Sequence, residues 1–206
     1  MVTYLGIPLD KAADYNSMQA AWDVTRQKVA HAFTRHDLSF KWSFAEFDAS
    51  RNLVPWVLDQ VQDAYKGIAG MASADGPWTG PAARPKMAIT RGNAGNLHDL
   101  ATGSIAHICV DPPYYDNVMY GECSDYFYVW LKRSLRDTWP ELCALPLADK
   151  QEEAVANPSI FADVAPPKRG RRKPGEKSAG DLADEHYERL LTRSFKEAHR
   201  VLKDNG

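Results

Sequence analysis

The sequence is short of cysteine, of long apolar runs and of net charge, and each shortage excludes something. Its three cysteines, Cys109, Cys123 and Cys143, are widely spaced and form no C-x-x-C pair. That argues against a zinc site or any other metal centre, against a disulfide framework, and for a reducing compartment. No apolar run reaches the roughly 18 residues of a membrane span, and the N-terminus lacks the charged-then-apolar pattern of a signal peptide. These absences predict a cytoplasmic protein with no membrane partner. The net charge is -2, so no global positive field draws the chain to nucleic acid, and any such contact needs a local patch.

What the sequence does have is enough material for one domain. It runs to 206 residues, 44% hydrophobic and 25% charged, a composition that supports a globular core. A short helix is expected around Leu9–Tyr15. The tract Leu38–Phe44 alternates and suits an extended segment. Val54, Val57, Leu58, Val61, Tyr65 and Ile68 share one helical face, predicting a packing helix over 51–69. Residues 70–85, rich in Gly and Pro, read as a loop. A short strand at 86–90 and a second at 105–110 are separated by about 15 residues, as in an α/β unit with neighbouring strands.

Beyond these strands, residues 122–136 read as a helix with Phe127, Trp130, Leu131, Ser134 and Leu135 on one face. Residues 144–180 read as an irregular, partly mobile insertion broken by five prolines. Within it Lys168-Arg169-Gly170-Arg171-Arg172-Lys173 sets five cations in six positions. This basic run reads either as a solvated loop or as a phosphate-contacting loop that orders on nucleic acid. A last helix is expected over 181–203, with Leu191, Phe195, Ala198 and Leu202 on one stripe. The chain stops where an α/β unit would continue into its next strand, so it is expected to be a middle piece of something longer.

The most informative stretch is Ile105-Ala106-His107-Ile108-Cys109-Val110-Asp111-Pro112-Pro113-Tyr114-Tyr115. An apolar run ends abruptly in a carboxylate, two prolines and two aromatics. Ligands of open α/β sheets bind at the carboxyl ends of strands. Cys109 is expected to be a buried small hydrophobe and His107 a structural strand residue. Asp111 precedes a proline and is biased to extended backbone. Pro112 and Pro113 fix φ and keep their carbonyls while offering no N–H. Acceptors beside the flat face of Tyr114 suit an exocyclic amine on a planar base. The amine hydrogens would go to the Asp111 carboxylate and the Pro112 carbonyl, and the ring would stack on Tyr114. A base in a duplex would have to be flipped out to reach them. Asp-Pro-Pro alone also occurs in plain turns. Tyr115 is read as lining the pocket or as part of a solvated turn.

These residues resemble the (D/N/S)-P-P-(Y/F/W) motif of S-adenosylmethionine-dependent amino-methyltransferases, which methylate adenine N6 or cytosine N4 in DNA. The run Asp111–Val118 and the run Ser124–Arg133 look like a family of large adenine-specific DNA methylase-like proteins, some described as carrying a zinc ribbon. Ala13-Asp14-Tyr15-Asn16-Ser17 and Trp42-Ser43-Phe44-Ala45-Glu46 also look like that family. The resemblance implies an α/β fold: a partial Rossmann-like methyltransferase sheet with flanking helices, one domain over 1–206. It implies S-adenosylmethionine as cofactor, DNA as partner and direct methyl transfer. It makes Asp111, Pro112 and Tyr114 the catalytic residues, Pro113 and Tyr115 base-binding, and Asn93 the position near the cofactor adenine, where the family often has an acidic residue. The family's F-x-G-x-G cofactor loop has no counterpart in this sequence. The alternative expectation is therefore an inactive remnant, or a nucleic-acid-binding piece whose cofactor loop comes from another chain, such as the rest of a larger methylase.

Overall fold

The structure is a computed structural model that describes residues 2–36, 40–42, 44, 46–72, 90–166 and 175–204. It divides into two compact units, one from residues 1–87 and 122–148, the other from 88–121 and 149–206. Residues 86–89 of the expected strand, most of the loop at 70–85, Leu38, Ser39 and Ser43 of the extended tract, and the basic run Lys168–Lys173 lie outside the described residues.

The first unit holds α1 (Val2–Tyr15), β1 (Trp22–Asp23), β2 (Lys28–Val29), α2 (Val54–Ala72) and, from Glu122 on, α3 (Tyr120–Leu135). α1 starts well before the expected Leu9 and keeps Pro8 inside it. β1 and β2 form an antiparallel pair in which Trp22 faces Val29. One π-helical turn, Ala49–Leu53, leads straight into α2. Asp48 starts that turn by accepting hydrogen bonds from the backbone N–H of Arg51 and Ser50, both at 3.1 Å. The bond from Arg51 does most to hold its carboxyl below the usual range.

Tyr15, Ala20, Val29, Leu53 and Val57 make the core, with Ala12 and Phe47 packed against it. Burying a side chain such as Leu53 stabilises by roughly 1.5–3 kcal/mol. Little else of α2 is buried: Leu58, Tyr65 and Ile68, read as its packing face, are exposed. The tract that carries the N-terminal resemblance is engaged in structure. Asn16 Nδ2 donates to the Phe47 carbonyl at 2.9 Å, and its Oδ1 accepts from the Phe47 N–H at 2.7 Å. Asp14 accepts from the Ala32 N–H at 3.0 Å and meets His31 Nδ1 at 2.6 Å. From α3, Tyr126 Oη donates to the Ala13 carbonyl at 3.0 Å.

On α3 only part of the expected face is covered. Leu135 is buried, and a Cβ on Gly6 of α1 would stand 3.3 Å from it. Trp130 is exposed, with the Arg133 guanidinium 5.6 Å from its ring centre, a cation–π contact. Asp10 of α1 has a buried Oδ1 with no hydrogen-bond partner among the described residues. Burial pushes its carboxyl up to about 6.

The second unit is organised on α4 (Ala179–Val201). Its start is a capping box: Ser178 Oγ accepts from the Asp181 N–H at 3.0 Å, and Asp181 accepts from the Ser178 N–H at 2.7 Å. Ala183, His186, Leu190 and Val201 form its buried side. The 3-10 turn Pro158–Phe161 packs on the helix, with the Phe161 ring edge-on to His186. At the far end Glu197 accepts from the Leu97 N–H and binds Arg200. The Arg200 bond does most to hold its carboxyl down to about 2.

The run 105–110 departs from the expected buried strand. Ile105 makes a single parallel bridge with Leu202, through Ile105 N–H to Val201 O and Lys203 N–H to Ile105 O, both 2.9 Å. Beyond Ile105 the run has no ladder among the described residues. Cys109 is exposed rather than buried, and so are His107 and Val110. The physical reason is local: a parallel strand is covered only when it has neighbours and helices on its faces, and among the described residues one residue of the run alone is paired.

Candidate functional site

The motif sits on the turn that follows Val110. Pro113 ends the rigid part, and the chain reverses at Tyr115, whose φ of 53° lies in the left-handed region. A tyrosine held there costs roughly 1–3 kcal/mol, so the surroundings must hold it. They do so at four points. The Tyr115 N–H donates to the Pro113 carbonyl at 3.1 Å, and the Ala156 N–H donates to the Tyr115 carbonyl at 3.0 Å. Tyr115 Oη donates to Asp184 on α4 at 2.5 Å. Tyr187, one turn further along α4, donates its hydroxyl to the Pro113 carbonyl at 3.2 Å. The two tyrosine rings meet edge to face, 5.2 Å between centres. The hydrogen bond to Asp184 pushes the Tyr115 phenol up to about 12.

Asp111, Pro112 and Pro113 line a cleft of about 940 Å³ that lies wholly within the second unit. Leu190, Leu191, Phe195 and Ala198 of α4 give it an apolar wall. Three of these four belong to the stripe expected on the last helix, which faces the cleft instead of a closed core. Tyr120, at the start of α3, also lines it. A cavity of this size with an apolar wall and a few convergent polar groups has the form of a small-molecule or base site.

A second polar group stands on the same cleft. Asn93 Nδ2 donates to Glu152 Oε2 at 2.6 Å, and Arg193 Nη2 donates to the same oxygen at 2.5 Å. Asn93 Oδ1 accepts from the Gly95 N–H at 2.8 Å. The Arg193 bond comes first among the causes that hold the Glu152 carboxyl below its usual range. A Cβ at Gly95 would stand 2.3 Å from Arg193 Nε, so a larger residue there would push the Arg193 side chain aside.

The expected site residues therefore separate into groups. Asp111, Pro112, Pro113 and Asn93 are brought to one cleft. Tyr114 is exposed beside Asp111, its hydroxyl 3.5 Å from the carboxylate; the Asp111 charge raises its phenol pKa. Tyr115 turns toward α4 and does not line the cleft. Lys168, Arg169, Arg171, Arg172 and Lys173 lie outside the described residues. Glu152, Arg193 and Asp184 were not singled out from the sequence, and Tyr187 was read only as lying one turn before the apolar stripe of the last helix. Asp184 and Tyr187 carry a faint signal, a polar pair at i, i+3 on one helix. Glu152 carries none, sitting in the irregular stretch. No group of three or more His, Cys, Asp or Glu stands within reach of one metal ion among the described residues. Nor is any helix there long and apolar enough to cross a membrane.

No protein-family model, curated protein or solved structure matches this chain. The functional reading rests on the cleft itself and on the motif at its edge.

Proposed function

We propose that this chain is a DNA adenine N6-methyltransferase, or the base-holding part of one, acting on the exocyclic amine of a flipped base. The observation that carries the reading is the convergence of Asp111, Pro112 and Pro113 on one cleft with an apolar wall. Among the described residues nothing donates to the Pro112 carbonyl, whereas the Pro113 carbonyl takes two donors. An acceptor left open beside a carboxylate suits the two hydrogens of an amine. In the proposed mechanism the Asp111 carboxylate and the Pro112 carbonyl accept those hydrogens. That grip fixes the orientation of the amine nitrogen, a positioning effect. Tyr114, exposed at the edge, offers its face to the base. S-adenosylmethionine is proposed as methyl donor from the resemblance, and the compartment as cytoplasmic.

The described residues do not make a seat for that donor. Asn93, the position expected near the cofactor adenine, has both amide atoms engaged with Glu152 and Gly95. The sequence offers no glycine-rich F-x-G-x-G run. This same observation favours a second reading. In it the chain binds the base and needs another chain for the cofactor loop, or is a remnant that binds nucleic acid without transferring a methyl group.

The deciding experiment follows labelled methyl from S-adenosylmethionine to DNA, with the chain alone and with Asp111→Ala. The first reading expects transfer that falls at least about 10²-fold in the variant. Transfer unaffected by the substitution would sink the assignment of Asp111. Adenine binding without any transfer would support the second reading.

A further inference from the structure

We infer that Tyr187 and Asp184 of α4 are positioning residues that decide which proline carbonyl the motif presents, and so set the preference for a base that carries an amine. The inference rests on the base-holding reading above and deepens it.

Two consecutive carbonyls follow Asp111, and the protein treats them differently. The Pro113 carbonyl is taken by the Tyr187 hydroxyl at 3.2 Å and by the Tyr115 N–H at 3.1 Å, which fills its acceptor capacity. The Pro112 carbonyl receives no donor among the described residues, and Pro112 lines the cleft. Asp184 completes the arrangement by accepting the Tyr115 hydroxyl at 2.5 Å. That bond holds Tyr115 in its left-handed backbone, so the chain turns immediately after Pro113. Asp184 and Tyr187 lie at i, i+3 and share one side of α4. The helix thus fastens the loop through two phenol hydroxyls while its apolar wall of Leu191, Phe195 and Ala198 faces the cleft. One rigid element supplies both the wall and the clamp.

A clamp of this kind acts on specificity. With it in place, one open acceptor stands beside Asp111 and asks for a donor from the ligand. Without it, the Pro113 carbonyl is released, the loop can rotate, and the demand for an amine weakens.

The test uses the full chain and two single-stranded oligonucleotides. One carries a single adenine among thymines, which have no exocyclic amine; the other replaces it with purine, which lacks the amino group. The wild type is expected to prefer the adenine strand. Tyr187→Phe keeps the ring and removes the hydroxyl. It should reduce that preference about fivefold, the ratio that one ordinary net hydrogen bond supplies, with affinity for the purine strand unchanged. Hydrogen exchange of the 110–119 segment should rise in the same variant. Asp184→Ala, at the other point of attachment, removes the oxygen that accepts from Tyr115; it should produce both effects and keeps the experiment decisive if Tyr187→Phe does not fold. A full adenine preference or an unchanged exchange rate in the folded variants would overturn the clamp. A wild type with no preference would instead overturn the base-holding reading, while exchange would still judge whether α4 fastens the loop.

Discussion

Asp10 shows how one side chain can weaken a helix that is otherwise well placed. Its Oδ1 is buried without a partner among the described residues, and burial raises its carboxyl pKa to about 6 from 3.8. A raised folded-state pKa means that the protonated form suits the fold. The stability it contributes is complete below 3.8 and is lost as pH rises through about 6. Asp10→Asn removes the charge and keeps the shape. At pH 7.5 (about 1.5 units above that pKa) it should raise the melting midpoint by about 2–4 °C, the shift that roughly 1 kcal/mol produces at this size. Below pH 3.8 the variant and the wild type should melt alike. A gain of equal size at both pH values would show that the charge is not the cause. At this scale the sequence was legible where chemistry is concentrated: Asp111, Pro112 and Pro113 were found from residue type alone and do line one cleft. It was illegible where a polar group acts through a distant partner. The Tyr115 hydroxyl reaches Asp184, and no local pattern links residues that far apart.

At the scale of elements, α4 carries the second unit, and its capping box is the device that starts it. Ser178 and Asp181 satisfy each other's backbone N–H groups, two of the four donors a helix start leaves open. Ser178→Ala should cost about 1 kcal/mol, read by denaturant unfolding as a lower midpoint with an unchanged slope. A changed slope would point instead to an effect on the unfolded or native compactness. The three long helices α2, α3 and α4 were legible because apolar residues recur every three to four positions in them. Their extents were read within a few residues. The β1–β2 pair was not legible: two-residue strands present no alternation to detect. The periodic face of α2 was found, yet most of it is exposed. Periodicity reports that a face exists and does not report what covers it.

For the whole molecule, charge is the quantity to test. A net charge of -2 leaves the basic run Lys168–Lys173 as the local source of attraction for phosphate. If all five cations meet a single strand, log affinity should fall against log salt with a slope of about -3.5. Replacing the five with glutamine should flatten that slope. A slope that survives the replacement would place the phosphate contacts elsewhere on the chain. The α/β reading came from the family resemblance and from two expected strands, of which the apolar run 105–110 was one. Composition gives the tendency of such a run, whereas pairing depends on neighbours that the run itself does not encode. Among the described residues only Ile105 of this run is paired.

The lone bridge between Ile105 and Leu202 has a kinetic meaning. It joins residues roughly a hundred positions apart, and closing so long a loop is entropically costly before any contact rewards it. α4 needs only local contacts and its own cap, so it forms early. The bridge can close only after α4 has carried Leu202 back to Ile105. The bridge therefore belongs to the last events on the folding path, and Lys203→Pro, which removes the N–H that donates to Ile105, should speed unfolding while leaving the folding rate nearly unchanged.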